Sequence, residues 1–231
     1  MHYAQLIIDY CMENRVSTTE VADVLGKSGV IPHMTAVTSD LYRVGRVRPV
    51  FAAGISNYLV HEQIRDVQKG EVVIIFTYDC EERAIIGELI AKYILLYRGA
   101  VAVIVKGLVR DGAALRRYRY AVWSAGFSPL GCFNAKNGDF PIDLEKEIRA
   151  QYEGGIAVCD DGGVTVIPPN MVNEHIYNQL HKIEVQEDIW FFCLDTLKWD
   201  TKKIVCDKAY LFEQDLLSLK HIEQLRDLDS K

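Results

Sequence analysis

Along this chain the apolar residues keep helical spacing in some stretches and form unbroken runs in others, and the switches between the two predict alternating helices and strands. Residues 3–14 place Leu6, Ile7, Tyr10 and Cys11 at helical intervals, the pattern of an amphipathic helix. Ser17 or Thr18 then opens a second helix running to Leu25. Glu20 stands three residues after Ser17, as a capping box requires, and Gly26 is the stop. Gly and Pro punctuation follows with β-rich pieces, residues 47–53 among them, so a sheet begins there. Residues 63–67 read as a helical turn. Residues 71–77 are a nearly continuous apolar run, which predicts a strand covered on both faces, and residues 79–83 a polar loop.

The stretch 87–111, GELIAKYILLYRGAVAVIVKGLVRD, carries the most chemistry. Gly87 opens a helix to Tyr97 in which Leu89, Ile90, Tyr93, Ile94 and Leu96 wrap most of the circumference, so it is expected to pack on the sheet and against a neighbour. Gly99 ends that helix, residues 100–105 form an apolar strand, and Arg110-Asp111 stand where the strand runs out. A cation and a carboxylate on a loop facing a helix N-terminus make a place for a small anion together with a metal. The same residues also read as a structural ion pair closing the loop, with Gly87 a turn glycine and Glu88 a favourable first-turn acid.

Beyond that point a short helix over 113–118 and a strand over 121–124 continue a βαβ-like order. Residues 134–139 are a polar loop, and strands over 155–159 and 164–167 flank the turn Asp160-Asp161-Gly162-Gly163. Residues 172–183 predict a helix, 189–194 an aromatic β-prone piece, and 210–228 an amphipathic helix suited to docking on its own body or a sister subunit.

Composition narrows the functional classes. With 231 residues, 49% of them hydrophobic, the chain can bury a sizeable core. A net charge of −6 argues against a general nucleic-acid binder, and the cluster Arg116, Arg117 and Arg119 reads as a solvated face. No apolar run approaches the roughly 20 residues that span a bilayer, and the N-terminus lacks the basic start and cleavage signal of a secretory peptide. The expected location is the cytoplasm, with no membrane partner. The 6 cysteines show no CxxC spacing, so they are expected to be reduced and mostly buried. His33, His61 and His175 are too scattered to read as metal ligands.

Gly87-Glu88-Leu89, followed by Val105-Lys106-Gly107-Leu108-Val109-Arg110-Asp111, resembles the RraA-like family, which holds regulators of ribonuclease E activity and class II 4-hydroxy-4-methyl-2-oxoglutarate aldolases. Further agreement lies in STTEVADVLG at 17–26, GFSP at 126–129 and VCDDGGVTVIP at 158–168, all in the family's order. The resemblance implies a mixed α/β fold, a β/β/α sandwich of the swivelling-domain type over residues 1–183. Residues 184–231 would be a helical C-terminal extension packed on that domain or on a neighbouring subunit. It also implies homotrimers or hexamers with sites at subunit boundaries.

Carried over residue by residue, the resemblance assigns Arg110 and Asp111 as catalytic. Arg110 steadies an enolate oxygen, and Asp111 ligates Mg²⁺ (or Mn²⁺) directly or through water. Gly87, Glu88, Leu89 and Ile90, with Arg110, bind the substrate. The aldolase pattern has an acidic residue three positions after the aspartate, where this chain has Ala114, and an aspartate near the end of the apolar strand, where it has Lys106. The spacing from Gly87 to Arg110 is one residue longer.

Cleaving a 4-hydroxy-2-oxo acid, or decarboxylating a diacid such as oxaloacetate, pushes negative charge onto the 2-oxo oxygen. A chelated divalent ion and a fixed guanidinium both stabilise it there. A single carboxylate suffices for a hard cation that keeps most of its waters. A water held by that cation is the economical base, oriented by Glu88 or by another subunit; Lys106 is poorly placed for a Schiff base. The expectation is therefore a Mg²⁺-dependent lyase releasing pyruvate from a small 2-oxo acid. The alternative is a non-catalytic regulator of this scaffold that binds a protein partner such as a ribonuclease.

Overall fold

The computed structural model describes residues 2–212. Contacts divide the chain into two units, Met1–Val172 and Asn173–Lys231. The division falls before the helix Glu174–Asp195, whereas the sequence reading drew its boundary between 183 and 184, inside that helix.

The first unit begins with helices α1 (His2–Asn14) and α2 (Thr18–Val24). The capping box forms as expected: Ser17 Oγ accepts the Glu20 N–H at 3.1 Å, and Glu20 Oε2 accepts the Ser17 N–H at 2.6 Å. Strands β1 (Thr35–Ala36) and β2 (Arg43–Ala53), helix α3 (Tyr58–Gln63), and strands β3 (Glu71–Tyr78) and β4 (Ala84–Ile86) follow. Helix α4 (Glu88–Lys92) runs on into a wider π turn over Tyr93–Tyr97. Then come β5 (Ala102–Val109), α5 (Gly112–Arg117), β6 (Val122–Phe127), α6 (Ile142–Tyr152), β7 (Ile156–Asp160) and β8 (Gly163–Ile167).

All eight strands join one sheet in the order β1-β6-β5-β3-β2-β7-β8, with β4 paired to β5. The strands β6, β5, β3 and β2 are mutually parallel, and antiparallel partners flank them. The continuous apolar run of β3 is explained by its place at the centre, where Val72, Val73, Ile74, Ile75 and Phe76 are all buried. The two ends of the sheet meet around residues 30–36. Val30 bridges Thr165, Ile31 N–H donates to Val164 O at 2.9 Å, and the chain then enters β1 at the far edge. The result is the expected mixed α/β class, with a sheet that nearly closes on itself.

Several elements differ from the sequence reading, among them α3, which begins ahead of the turn expected at 63–67. Strand β5 continues through Lys106–Val109, with a register break between Val105 and Leu108. The short strand β4, in the stretch leading into Gly87, has a pairing that no local pattern announces. Helix α6, which the sequence reading did not assign, meets the core through half-buried Ile148 and Tyr152 and carries i,i+4 pairs such as Arg149 with Glu145 and Glu153.

The second unit opens with helix α7 (Glu174–Asp195), capped by Asn173 Oδ1, which accepts the Ile176 N–H at 3.1 Å. Residues 189–194 are helical, against their β propensity. Ile189 and Cys193, one helical turn apart, are both buried and cluster with Ile204 and Tyr210, and that packing outweighs local preference. Tyr210 Oη accepts from Gln186 Nε2 at 3.0 Å and Trp190 Nε1 at 3.2 Å. Of the helix expected over 210–228, residues 213–228 lie outside the described residues.

Candidate active site

The end of β5 fixes Arg110. Val109 pairs with Ile86 of β4 and with Phe127 of β6, and the Arg110 N–H donates to Ile86 O at 3.0 Å. Gly87 therefore follows directly on the strand that holds Arg110. Asp111 then turns the chain, with φ at +60°, a left-handed conformation that aspartate tolerates better than most residues. Its carbonyl accepts the N–H groups of Ala114 and Leu115 to begin α5. Its side chain does not cap that helix; Oδ2 accepts the Glu88 N–H at 3.0 Å, capping α4 from 23 residues away.

Magnitudes decide between an ion pair and something more. Arg110 Nε lies 3.8 Å from Asp111 Oδ2, beyond hydrogen-bond range, and the two side chains are 53% and 44% exposed. A pair of that length and exposure contributes about 0–1 kcal/mol. The guanidinium is thus available to another anion, and Asp111 Oδ1 is without a protein partner among the described residues.

Two glycines make room for this arrangement. A β-carbon at Gly87 would stand 2.2 Å from Asp111 Oδ2 and 2.9 Å from Arg110 Cγ. Gly87 is extended (φ −132°, ψ −160°), so space and not backbone strain requires glycine. A β-carbon at Gly131 would stand 2.5 Å from Arg110 Nη1.

Beside the pair lies a hollow of about 240 Å³, lined by Asn57 just before α3 and His61 within it, Ala84 to Gly87, Leu89, Ile90, Arg110, Asp111, Cys132 and Asn134. The N–H groups of Leu89 and Ile90, in the first turn of α4, donate to no acceptor among the described residues. The Glu88 side chain is absent from the lining; what Glu88 contributes is the amide that holds Asp111. Of the residues read from sequence, Gly87, Leu89, Ile90, Arg110 and Asp111 thus come together around one space.

Cys132 and Asn134 belong to the segment 130–135, which is tied to the elements around the hollow. Ala84 N–H donates to Leu130 O (2.7 Å), Asn57 N–H to Phe133 O (3.1 Å), Phe133 N–H to Ile55 O (2.9 Å) and Ser56 Oγ to Ala135 O (2.6 Å). Arg83 Nη1 donates to Gly131 O at 3.0 Å, and its guanidinium lies over the Phe133 ring. Asn57, 7% exposed, donates from Nδ2 to Ile85 O at 3.1 Å, while its Oδ1 is buried without a hydrogen-bond partner. Asn57, His61, Gly131 and Cys132 were not legible as site residues, since they come from other elements than the 87–111 stretch. Burial raises the Cys132 thiol pKa and pushes that of Cys80 up to about 11.

On its other side the Arg110-Asp111 pair borders a second hollow with Gly112, Arg116, Phe127, Ser128 and Pro129. Arg116, read from sequence as solvated, lies with its guanidinium 4.8 Å from the Phe127 ring centre. Lys106 lies within β5, not at its end, with its ammonium over the Phe76 ring, and Ala114 is on α5.

Among the described residues no three His, Cys, Asp or Glu side chains gather to form a metal cage. Mg²⁺ needs no such cage, because one carboxylate with water and substrate oxygens satisfies it. Asp111, exposed and with Oδ1 free, fits that role; Cys132 and His61, softer donors, suit it less.

Fold and motif order define a family. The RraA-like (Aldolase/RraA) family model matches residues 18–166, and the chain belongs to that family. A relative described as a putative 4-hydroxy-4-methyl-2-oxoglutarate aldolase, from Shewanella oneidensis, is 26% identical over 110 residues. That match covers 48% of this chain and 66% of the relative, so the chain spans just under two thirds of its length. Among solved structures, an uncharacterized protein from Pseudomonas syringae pv. tomato superposes with a TM-score of 0.68 at 19% identity, covering 84% of this chain and 90% of that one. Streptomyces coelicolor RraAS2, an unusual member of the RNase ES inhibitor RraA family, gives a TM-score of 0.62 at 18% identity, covering 81% and 94%. The RNA-processing inhibitor RraA from Thermus thermophilis gives 0.53 at 20% identity, covering 65% and 92%. No described helix is long and apolar enough to cross a membrane.

Proposed function

We propose that this protein is a divalent-metal-dependent carbon–carbon lyase of small 2-oxo acids, releasing pyruvate. The observation that carries this reading is the half-exposed Arg110-Asp111 pair, held apart at 3.8 Å across Gly87 beside two amide N–H donors without an acceptor among the described residues. In retro-aldol cleavage of a 4-hydroxy-2-oxo acid, the hydroxyl proton leaves to a base and the C4–O bond becomes a carbonyl. The C3–C4 electron pair moves into an enolate whose charge rests on the 2-oxo oxygen, and C3 is then protonated to give pyruvate. Arg110 donates to that oxygen as its charge grows, a contribution of about 3 kcal/mol when preorganised.

The Leu89 and Ile90 amides take the substrate carboxylate. Asp111 holds Mg²⁺ or Mn²⁺, which when bound supplies Lewis-acid polarisation of the 2-oxo group. For proton handling we assign His61, the imidazole in the lining, in place of Glu88, whose side chain is not among the lining residues.

The expected homo-oligomer, a trimer or hexamer, is proposed to form over the exposed apolar face of the 88–97 helical stretch. Leu89, Leu96 and Tyr97 there are 79%, 61% and 72% exposed. The same face supports the second reading, a non-catalytic regulator that binds a protein partner such as a ribonuclease, as does Ala114 in place of a carboxylate.

The test is pyruvate release from oxaloacetate and from a 4-hydroxy-2-oxo acid. Release is expected to vanish with chelator and to fall at least about a hundredfold in Arg110→Ala. Rates for wild type and Asp111→Asn that both equal the uncatalysed background would favour the regulator.

A further inference from the structure

We propose that Asn57 is a specificity-determining residue that selects a hydroxylated ligand; the substrate class it names rests on the lyase reading above. One hydrogen bond fixes the amide orientation. Nδ2 donates to Ile85 O at 3.1 Å, so the other atom is the oxygen, an acceptor. That Oδ1 is buried and unmatched among the described residues, on a side chain that lines the same hollow as Arg110 and Asp111. Buried acceptors are almost always satisfied, because desolvating one without a donor is unfavourable.

The geometry around Asn57 is also held firm. Its N–H donates to Phe133 O, Ser56 Oγ bridges Ala135 O and the Tyr58 N–H, and Ile85 is itself buried in β4. The amide cannot turn its donor inward without releasing Ile85 O.

An acceptor in this position discriminates by chemistry. The ionised carboxylate and the keto oxygen of a 2-oxo acid offer only lone pairs, which Oδ1 repels. A hydroxyl offers a proton. Asn57 therefore favours a hydroxy-2-oxo acid over its deoxy counterpart and over the keto form of oxaloacetate, and so favours aldol cleavage over decarboxylation. Sites that hydrogen-bond a ligand hydroxyl reject analogues lacking it far more strongly than apolar pockets reject an added group.

The experiment measures binding of two ligands to the full chain with Mg²⁺ by calorimetry: 4-hydroxy-2-oxoglutarate, and 2-oxoglutarate, which lacks only the hydroxyl. Wild type is expected to bind the hydroxylated ligand at least about tenfold more tightly, and Asn57→Ala to reduce that preference below roughly threefold. Equal affinities in wild type, as when a resident water satisfies Oδ1, overturn the assignment without any variant. So does an Asn57→Ala that weakens both ligands alike, the signature of a residue that only braces Ile85. Turnover is read separately. A chain that shows the preference yet releases no pyruvate from either substrate overturns the lyase reading and leaves Asn57 as the hydroxyl reader; pyruvate release with equal affinities does the reverse.

Discussion

A single β-carbon at position 87 is incompatible with the way Asp111 reaches Glu88. The 2.2 Å approach to Oδ2 forces the carboxylate, the guanidinium or the helix start to move. Gly87→Ala is therefore expected to cost about 1–3 kcal/mol of stability, read by denaturant melts, and to lower pyruvate release at least about tenfold. A stable, fully active Gly87→Ala would show that the contact is unimportant. The cysteines give a second check at this scale. Thiolates are the nucleophiles, and burial raises the thiol pKa of Cys80 and Cys132, so less thiolate forms at neutral pH. Iodoacetamide should label exposed Cys206 first, with Cys132 labelling accelerating only as pH climbs above the ordinary thiol range; mass spectrometry at several pH values reads the order. Arg110, Asp111 and Gly87 were legible beforehand because one stretch of 25 residues carries them all. Asn57, His61 and Gly131 were not, because a buried amide or a loop glycine looks ordinary until another element is laid against it.

At the scale of elements, local signals were reliable where the backbone satisfies itself. The capping box at Ser17 is one: both reciprocal bonds form, and Ser17→Ala is expected to lower stability by about 1 kcal/mol in a thermal melt. That helix is further tied to β7, since Thr18 donates its N–H and hydroxyl to Asp160 at 2.8 and 2.7 Å, a connection across 142 residues that no local pattern announces. The sequence reading failed where burial and periodicity part company. Helix α6 turns only half-buried Ile148 and Tyr152 to the core, while the aromatic run of α7 looks β-prone until Ile189 and Cys193 are seen to share a core. The helix from Gly87 was expected to be covered nearly all round; instead Ile90, Ala91, Ile94 and Leu95 are buried, and Leu89, Leu96 and Tyr97 face outward.

For the whole molecule, that outward face is the place to test assembly. Leu96→Glu combined with Tyr97→Glu is expected to reduce the mass measured by sedimentation to that of one chain without lowering the melting transition of the folded chain by more than a few degrees. An unchanged mass would move the interface elsewhere. The order of helices and strands, the central buried strand and the Arg-Asp pair were determined by the sequence alone, because hydrophobic period, capping chemistry and adjacency act over a few residues. Only the tertiary structure decided which strand lies beside which, how the sheet's two edges meet at residues 30–36, and that Asp111 caps a helix that begins 23 residues before it. It also decided that the buried Asn57 amide, just ahead of α3, stands against the guanidinium's hollow. The physical reason is that these contacts join segments tens of residues apart, and their energies depend on shared burial that no single segment encodes.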